Sequence, residues 1–184
     1  YFVSYPDQVR LAGGEPVVVT CTLENGFRPT RADLDAAMSP RTRWVILNSP
    51  SNPSGAVFSA DDLRMIGDVV APYERALVLS DEIYESIIFT GSQFTSFAAA
   101  CPDLRDRTLT VNGLAKSHAM TGWRIGYGAG PAGLIATMTK LTSQSTTAAC
   151  TISQAAAVEA LLGDQTFVTT SCKRYEERRD LLVR

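Results

Sequence analysis

Ala76-Leu77-Val78-Leu79-Ser80-Asp81-Glu82-Ile83-Tyr84 is a short apolar run that stops at a polar cluster. Four apolar residues in succession suit a strand buried on both faces, as in a parallel sheet, and the change to Ser, Asp and Glu marks its carboxyl end. The same pattern recurs on either side. Arg43-Trp44-Val45-Ile46-Leu47 halts at Asn48-Ser49-Pro50-Ser51-Asn52-Pro53-Ser54-Gly55, and Thr108-Leu109-Thr110-Val111 halts at Asn112-Gly113-Leu114-Ala115-Lys116. Val17 to Thr22, β-branched and bounded by Pro16 and Asn25-Gly26, reads as an earlier strand, and Ile125 to Gly128 as a last one.

Helical signals fill the gaps. Pro6 suits a first turn, and the helix it starts runs past Val9 and Leu11 to Gly13-Gly14. Ser59 caps a helix with Asp61 and Asp62 in its first turn, Leu63, Ile66 and Val70 on one face, and Phe58 placed to staple onto Leu63. Gly130-Pro131 opens a helix with Leu134, Ile135, Met138 and Leu141 along one side. Thr151-Ile152-Ser153-Gln154 has the form of a capping box for the next, which Gly163 ends. From Phe167 to Arg184 a last helix carries Lys173 with Glu177 and Glu176 with Arg179, spacings that suit a solvated charged face. Alternating strands and helices predict an α/β fold of three layers, αβα, with a mostly parallel sheet whose ligands sit at the carboxyl ends of the strands.

The 184 residues are 45% apolar, 20% charged and 8% aromatic, the balance of a globular domain. A chain of this length buries about 70% of its unfolded surface, enough for a core without staples. Seventeen Lys and Arg against nineteen Asp and Glu leave a net charge of −2, which argues against nucleic acid and against an anionic membrane surface as partners. No apolar run approaches the ~18 residues of a membrane span and no signal peptide opens the chain, so a cytoplasmic location is expected. Cys21, Cys101, Cys150 and Cys172 are widely scattered with no C-x-x-C pair, and only one His is present to complete a zinc site, so no metal is expected and the thiols read as reduced and mostly buried. Residue 1 is not Met and the last helix has no stop signal, so both ends read as cuts within a longer chain.

Taken singly, the strand-end residues have plain explanations: turns for the prolines and Gly55, a cap for Asp81, solvent for Lys116. Taken together, they resemble the class I aminotransferases of the fold-type I pyridoxal-phosphate (PLP) enzymes. The resemblance spans the chain. Its most specific part is Lys116-Ser117-His118-Ala119-Met120-Thr121-Gly122-Trp123-Arg124-Ile125-Gly126-Tyr127, supported by Asn52-Pro53-Ser54-Gly55 and Asp81-Glu82-Ile83-Tyr84 upstream. Val3-Ser4-Tyr5-Pro6, Ser143-Gln144-Ser145-Thr146-Thr147 and Ile152-Ser153-Gln154-Ala155 are most similar to the bacterial aspartate aminotransferase branch.

The resemblance implies that residues 1–164 form part of the large PLP-binding domain and that residues 165–184 begin the long helix leading to a small C-terminal domain. It implies Lys116 as the Schiff-base lysine, an amine that attacks the cofactor aldehyde and later shuttles a proton, which an always-charged Arg would not do. Asp81 is the implied partner of the pyridine nitrogen and Tyr84 and Asn52 the donors to the ring's phenolate oxygen, with Asn52 also on the substrate carboxylate. Arg124 is the implied phosphate clamp. Phe2 stands where this branch carries a stacking Trp, and Gly113 where many members carry a phosphate-binding Ser, although Gly113 equally suits a strand-end turn. His118 reads as a filler beside the lysine and Trp123 as a packing residue.

The activity implied is amino transfer between an amino acid, aspartate by branch, and a 2-oxo acid, in a homodimer whose Ser143 to Thr147 stretch approaches the partner's cofactor. Two relatives share the cofactor residues: a PLP lyase or decarboxylase, and a PLP-sensing domain of a transcription regulator, which needs a DNA-binding module upstream. An ATPase reading of Asp81-Glu82 lacks its phosphate loop, since no G-x-x-x-x-G-K-[ST] occurs.

Overall fold

A computed structural model describes residues 1–183. Helix α1 (Tyr5–Leu11) is followed by α2 (Arg31–Ala37), β1 (Trp44–Asn48), α3 (Ala60–Val70), β2 (Leu77–Asp81), α4 (Phe97–Ala100), a 3-10 turn (Pro102–Arg107), β3 (Thr108–Gly113), α5 (Leu114–Ser117), a second 3-10 turn (Thr121–Trp123), β4 (Gly126–Ala129), α6 (Ala132–Ser145), α7 (Thr151–Leu162) and α8 (Thr166–Leu182). The sheet order is β1-β2-β3-β4; β1, β2 and β3 run parallel and β4 is antiparallel to β3. The mostly parallel sheet and its α/β alternation are as expected.

Register divides the sheet into two faces. Val45 and Leu47 of β1 stand beside Val78 and Ser80 of β2 and Thr108 and Thr110 of β3. Against Leu47 and Val78 pack Leu63, Ile66, Val69 and Val70 of α3 with Phe97 of α4 and Leu104, all nearly solvent-free. Each such side chain is worth about 2 kcal/mol of transfer free energy, so this layer anchors the sheet. Asn48 and Asp81 fall on the opposite face at the carboxyl end, directly paired in register.

Helix α3 starts as its sequence directs. Ser59 accepts from the Asp62 amide while the Asp62 carboxylate accepts from the Ser59 amide, a complete capping box. At its other end Arg107 donates to the carbonyls of Ala71 and Tyr73, placing a cation at the negative end of the helix. Gly13 takes the left-handed conformation after α1, with φ +77°.

Several expectations are corrected. Val17 to Thr22 is not a strand: Val17 and Val18 are exposed, and no described strand pairs with the segment, so β-propensity alone does not hold it. The capping box at Thr151 is not formed. Cys150 is the N-cap, and Gln154 Nε2 donates back to the Ala149 carbonyl instead of its Oε1 accepting from the cap amide. Met138 and Leu141 of α6 are exposed, as is Trp123. The four thiols are free, but only Cys101 is buried, against the Leu63 carbonyl, and Cys150 is exposed. No helix among the described residues is long and apolar enough to cross a membrane.

Replacing Ile66, which has no exposed surface, by Ala is expected to cost about 3 kcal/mol of unfolding free energy in denaturant titrations. Ser59→Ala, which removes the cap, is expected to cost about 1 kcal/mol.

Candidate active site

Asp81 and Glu82 are adjacent acids with different fates, because neighbouring residues of a strand end point to opposite sides. Glu82 is buried and consumed structurally: its carboxylate accepts from Ser80 Oγ at 2.8 Å, Ser96 Oγ at 2.9 Å and the Phe97 amide at 3.0 Å, tying the start of α4 to the end of β2. Asp81 is half-buried. One of its oxygens accepts from the Ile83 amide at 3.2 Å, forming a turn, and the other accepts from the Tyr5 hydroxyl. The bland reading of Asp81 as a turn residue is therefore true of one oxygen only.

Tyr5 carries no chemical signal in the sequence beyond its place in the stretch Val3-Ser4-Tyr5-Pro6. It comes from α1, 76 positions away from Asp81. Burial, followed by its bond to the Asp81 carboxylate, raises the phenol well above its usual range, so Tyr5 remains a neutral donor. Phe2 is partly exposed and packs edge-on against Tyr5, with ring centroids 6.0 Å apart. The structure thus brings Phe2, Tyr5 and Asp81 together.

A second chain of contacts joins the other strand ends. Asn52 Nδ2 donates to the Tyr84 hydroxyl at 3.3 Å, and the Lys116 ammonium lies over the Tyr84 ring, 5.9 Å from its centroid. The two groups are linked through Asn48. Its side-chain amide donates to the Asp81 carbonyl at 3.1 Å and its Oδ1 accepts from the Asn52 amide at 2.8 Å. Lys116, Tyr84 and Thr121 line one groove of about 740 Å³, with Tyr175 and Arg178 of α8 also in its lining. A slightly larger groove, about 780 Å³, lies between Ser86 to Ser92 and α8 and contains none of the residues expected to act.

Arg124 is the least connected of the expected residues. It is exposed, its backbone is left-handed with φ +51°, and its guanidinium donates to the Thr121 carbonyl at 2.9 Å; no hydrogen bond links it to Asp81, Asn52, Tyr84 or Lys116. It is held near the groove only through Thr121. Gly113 is extended, not left-handed, so turn geometry does not explain it. A Cβ there would stand 3.3 Å from Gly126 Cα and from the Ile125 carbonyl, so close approach of β3 and β4 is the reason for glycine.

His118 does more than fill space. Gln165 uses its NH₂ on the Ala160 and Gly163 carbonyls, leaving Oε1 to accept from His118 Nε2 at 3.2 Å, and Ser117 Oγ lies 2.9 Å from Nδ1. The lysine loop is thereby tied to the α7–α8 junction. Glu176 is likewise not part of a purely solvated face, because it accepts from both the amide and hydroxyl of Thr90 while also meeting Arg179. Lys173 and Glu177 form no ion pair among the described residues.

Comparison with known proteins shows the family. The family described as "Aminotransferase class I and II" matches residues 1–184. The chain is 49% identical over 183 residues to a "Probable aspartate/prephenate aminotransferase" of Rickettsia bellii and to an "Aspartate/prephenate aminotransferase" of Cereibacter sphaeroides; all of the chain and 46% of each relative are covered. It therefore spans about half the length of the curated relatives it matches. The fold superposes on the crystal structure of the aspartate aminotransferase from Rhizobium meliloti with a TM-score of 0.96 at 48% identity, covering the whole chain and 46% of that structure. The Thermus thermophilus aspartate aminotransferase with maleate gives 0.93 at 42% identity, covering the whole chain and 47% of that structure. With a match over its entire length and a sheet whose strand ends carry the expected acid, phenol, amide and amine, the chain belongs to the class I and II aminotransferases.

Proposed function

We infer that this chain is the central part of a longer aminotransferase that moves an amino group between an amino acid and a 2-oxo acid with the help of PLP. Residues 1–164 then belong to the large cofactor domain, and α8, within residues 165–184, leads to the small domain. The observation that carries this reading is the convergence at one end of the sheet of Asp81, Asn52 and Tyr84, linked by hydrogen bonds through Asn48, with Lys116 over the Tyr84 ring.

This donor set fits the cofactor, since it offers a carboxylate, a phenol, a carboxamide and a primary amine from neighbouring strand ends. When bound, PLP supplies an electron-withdrawing ring conjugated to the substrate's α-carbon. Asp81 would hold a proton at the ring nitrogen, and Tyr5, which remains neutral, keeps the Asp81 carboxylate oriented for that task. Tyr84 and Asn52 would donate to the phenolate oxygen, with Asn52 also reaching the substrate carboxylate. Lys116 would attach the cofactor covalently and, once displaced, take the proton from the substrate's α-carbon and return it to the cofactor's C4′. Arg124 would bind the phosphate, and Phe2 would cover a ring face.

The names of the relatives support aspartate as amino donor, with prephenate as an alternative acceptor. Four free cysteines support a reducing, cytoplasmic setting. Exposed Leu141, Ile152 and Leu162 on α6 and α7 support a homodimer, whose partner would cover them.

In the full-length protein, Lys116→Ala is expected to abolish the visible absorbance of lysine-bound PLP and to lower turnover of aspartate with 2-oxoglutarate by about a thousandfold or more. Retained turnover with an unchanged spectrum would refute the assignment. Tyr5→Phe is expected to cost about 1 kcal/mol of stability at neutral pH. Because the folded-state phenol is raised, this contribution is complete below the ordinary phenol range and shrinks as pH climbs through and above it. Denaturation curves of the two proteins should therefore converge only in alkali.

A further inference from the structure

The geometry points to Asn48 as a positioning residue that locks the ring-nitrogen partner and the phenolate-oxygen donor of the cofactor site into one register. This rests on the PLP reading above and adds to it a residue with no contact to the reacting atoms. Asn48 is the last residue of β1, paired in register with Asp81, and almost buried. Both ends of its carboxamide are used. Nδ2 donates to the Asp81 carbonyl at 3.1 Å, and Oδ1 accepts from the Asn52 amide at 2.8 Å.

Those two partners belong to the two halves of the site. The Asp81 carbonyl fixes the backbone from which the carboxylate rises, and also accepts from the Ser49 amide at 3.3 Å. The Asn52 amide fixes the turn that presents the Asn52 side chain to Tyr84. A carboxamide is the group this position requires, because it combines a donor and an acceptor on one planar unit; Asp lacks the donor and Leu lacks both. Nearly shielded from water, each bond has little competition from solvent, so losing the clamp frees the Asn52 turn to move relative to β2.

The test uses the full-length protein, in which Asn48→Ala and Asn48→Leu remove the clamp and Leu keeps the volume filled should the Ala variant not fold. In PLP-free protein, hydrogen exchange at the Asn52 amide is expected to quicken about tenfold. In PLP-loaded protein, cofactor dissociation should weaken about tenfold. The pH midpoint of the lysine-bound cofactor's absorbance should move in the same direction as in Asn52→Ala. Adding Asn48→Ala to Asn52→Ala should move that midpoint no further, because the effect of Asn48 passes through Asn52. A merely structural role would lower the thermal midpoint and leave the absorbance midpoint and Asn52 exchange as in wild type, which overturns the inference. So does an equal displacement with and without Asn52. An unchanged spectrum in Lys116→Ala would instead sink the PLP reading, and the exchange measurement then still decides whether the Asn48 clamp exists.

Discussion

The parallel register of β1 with β2 is the constraint on which the rest of the site depends. By pairing Asn48 with Asp81 it sets two strand ends level, so that residues 33 positions apart in sequence share one edge. The register is held from below by α3 and α4, whose apolar side chains leave Val78 and Ile66 with no exposed surface. Slipping it by one residue would turn Asp81 toward that apolar layer and bring Glu82 to the cleft. The hydrophobic pattern of β2 therefore decides which of two adjacent acids is available for chemistry.

The same separation of roles runs through the strand ends. Glu82 accepts from Ser80, Ser96 and the Phe97 amide through one oxygen and acts as a structural tie. Asp81 divides its oxygens between a turn amide and Tyr5. His118 and Glu176 are fastenings as well, one tying the lysine loop to the α7–α8 junction and the other holding Thr90 against α8. Around the groove, rigid packing on one face of the sheet supports a polar network on the other, which is the arrangement that holds reactive groups in fixed geometry.

Much of the fold was legible because its signals are local. Apolar runs ending in polar clusters located β1, β2 and β3 to within a few residues, and Ser59 with Asp61 and Asp62 marked the start of α3. The failures have two causes. Val17 to Thr22 has strand composition but no described partner, the Thr151 pattern lost its cap to Cys150, and the apolar side of α6 meets little within these residues. The first and last depend on what stands opposite, which a local pattern does not encode; the second is a local competition, in which Gln154 bonds the Ala149 carbonyl.

For the site, residue types and order alone determined that an amine at 116, a carboxylate at 81, a phenol at 84 and a carboxamide at 52 stand just beyond buried strands, since strand ends are written in the change from apolar to polar residues. Only the tertiary structure decided that Tyr5 holds Asp81, that Asn48 joins Asp81 to Asn52, and that Arg124 is tied to Thr121 and not to the other groups. The physical reason is that hydrogen bonds between distant segments depend on register and on side-chain direction in three dimensions, and both are products of packing.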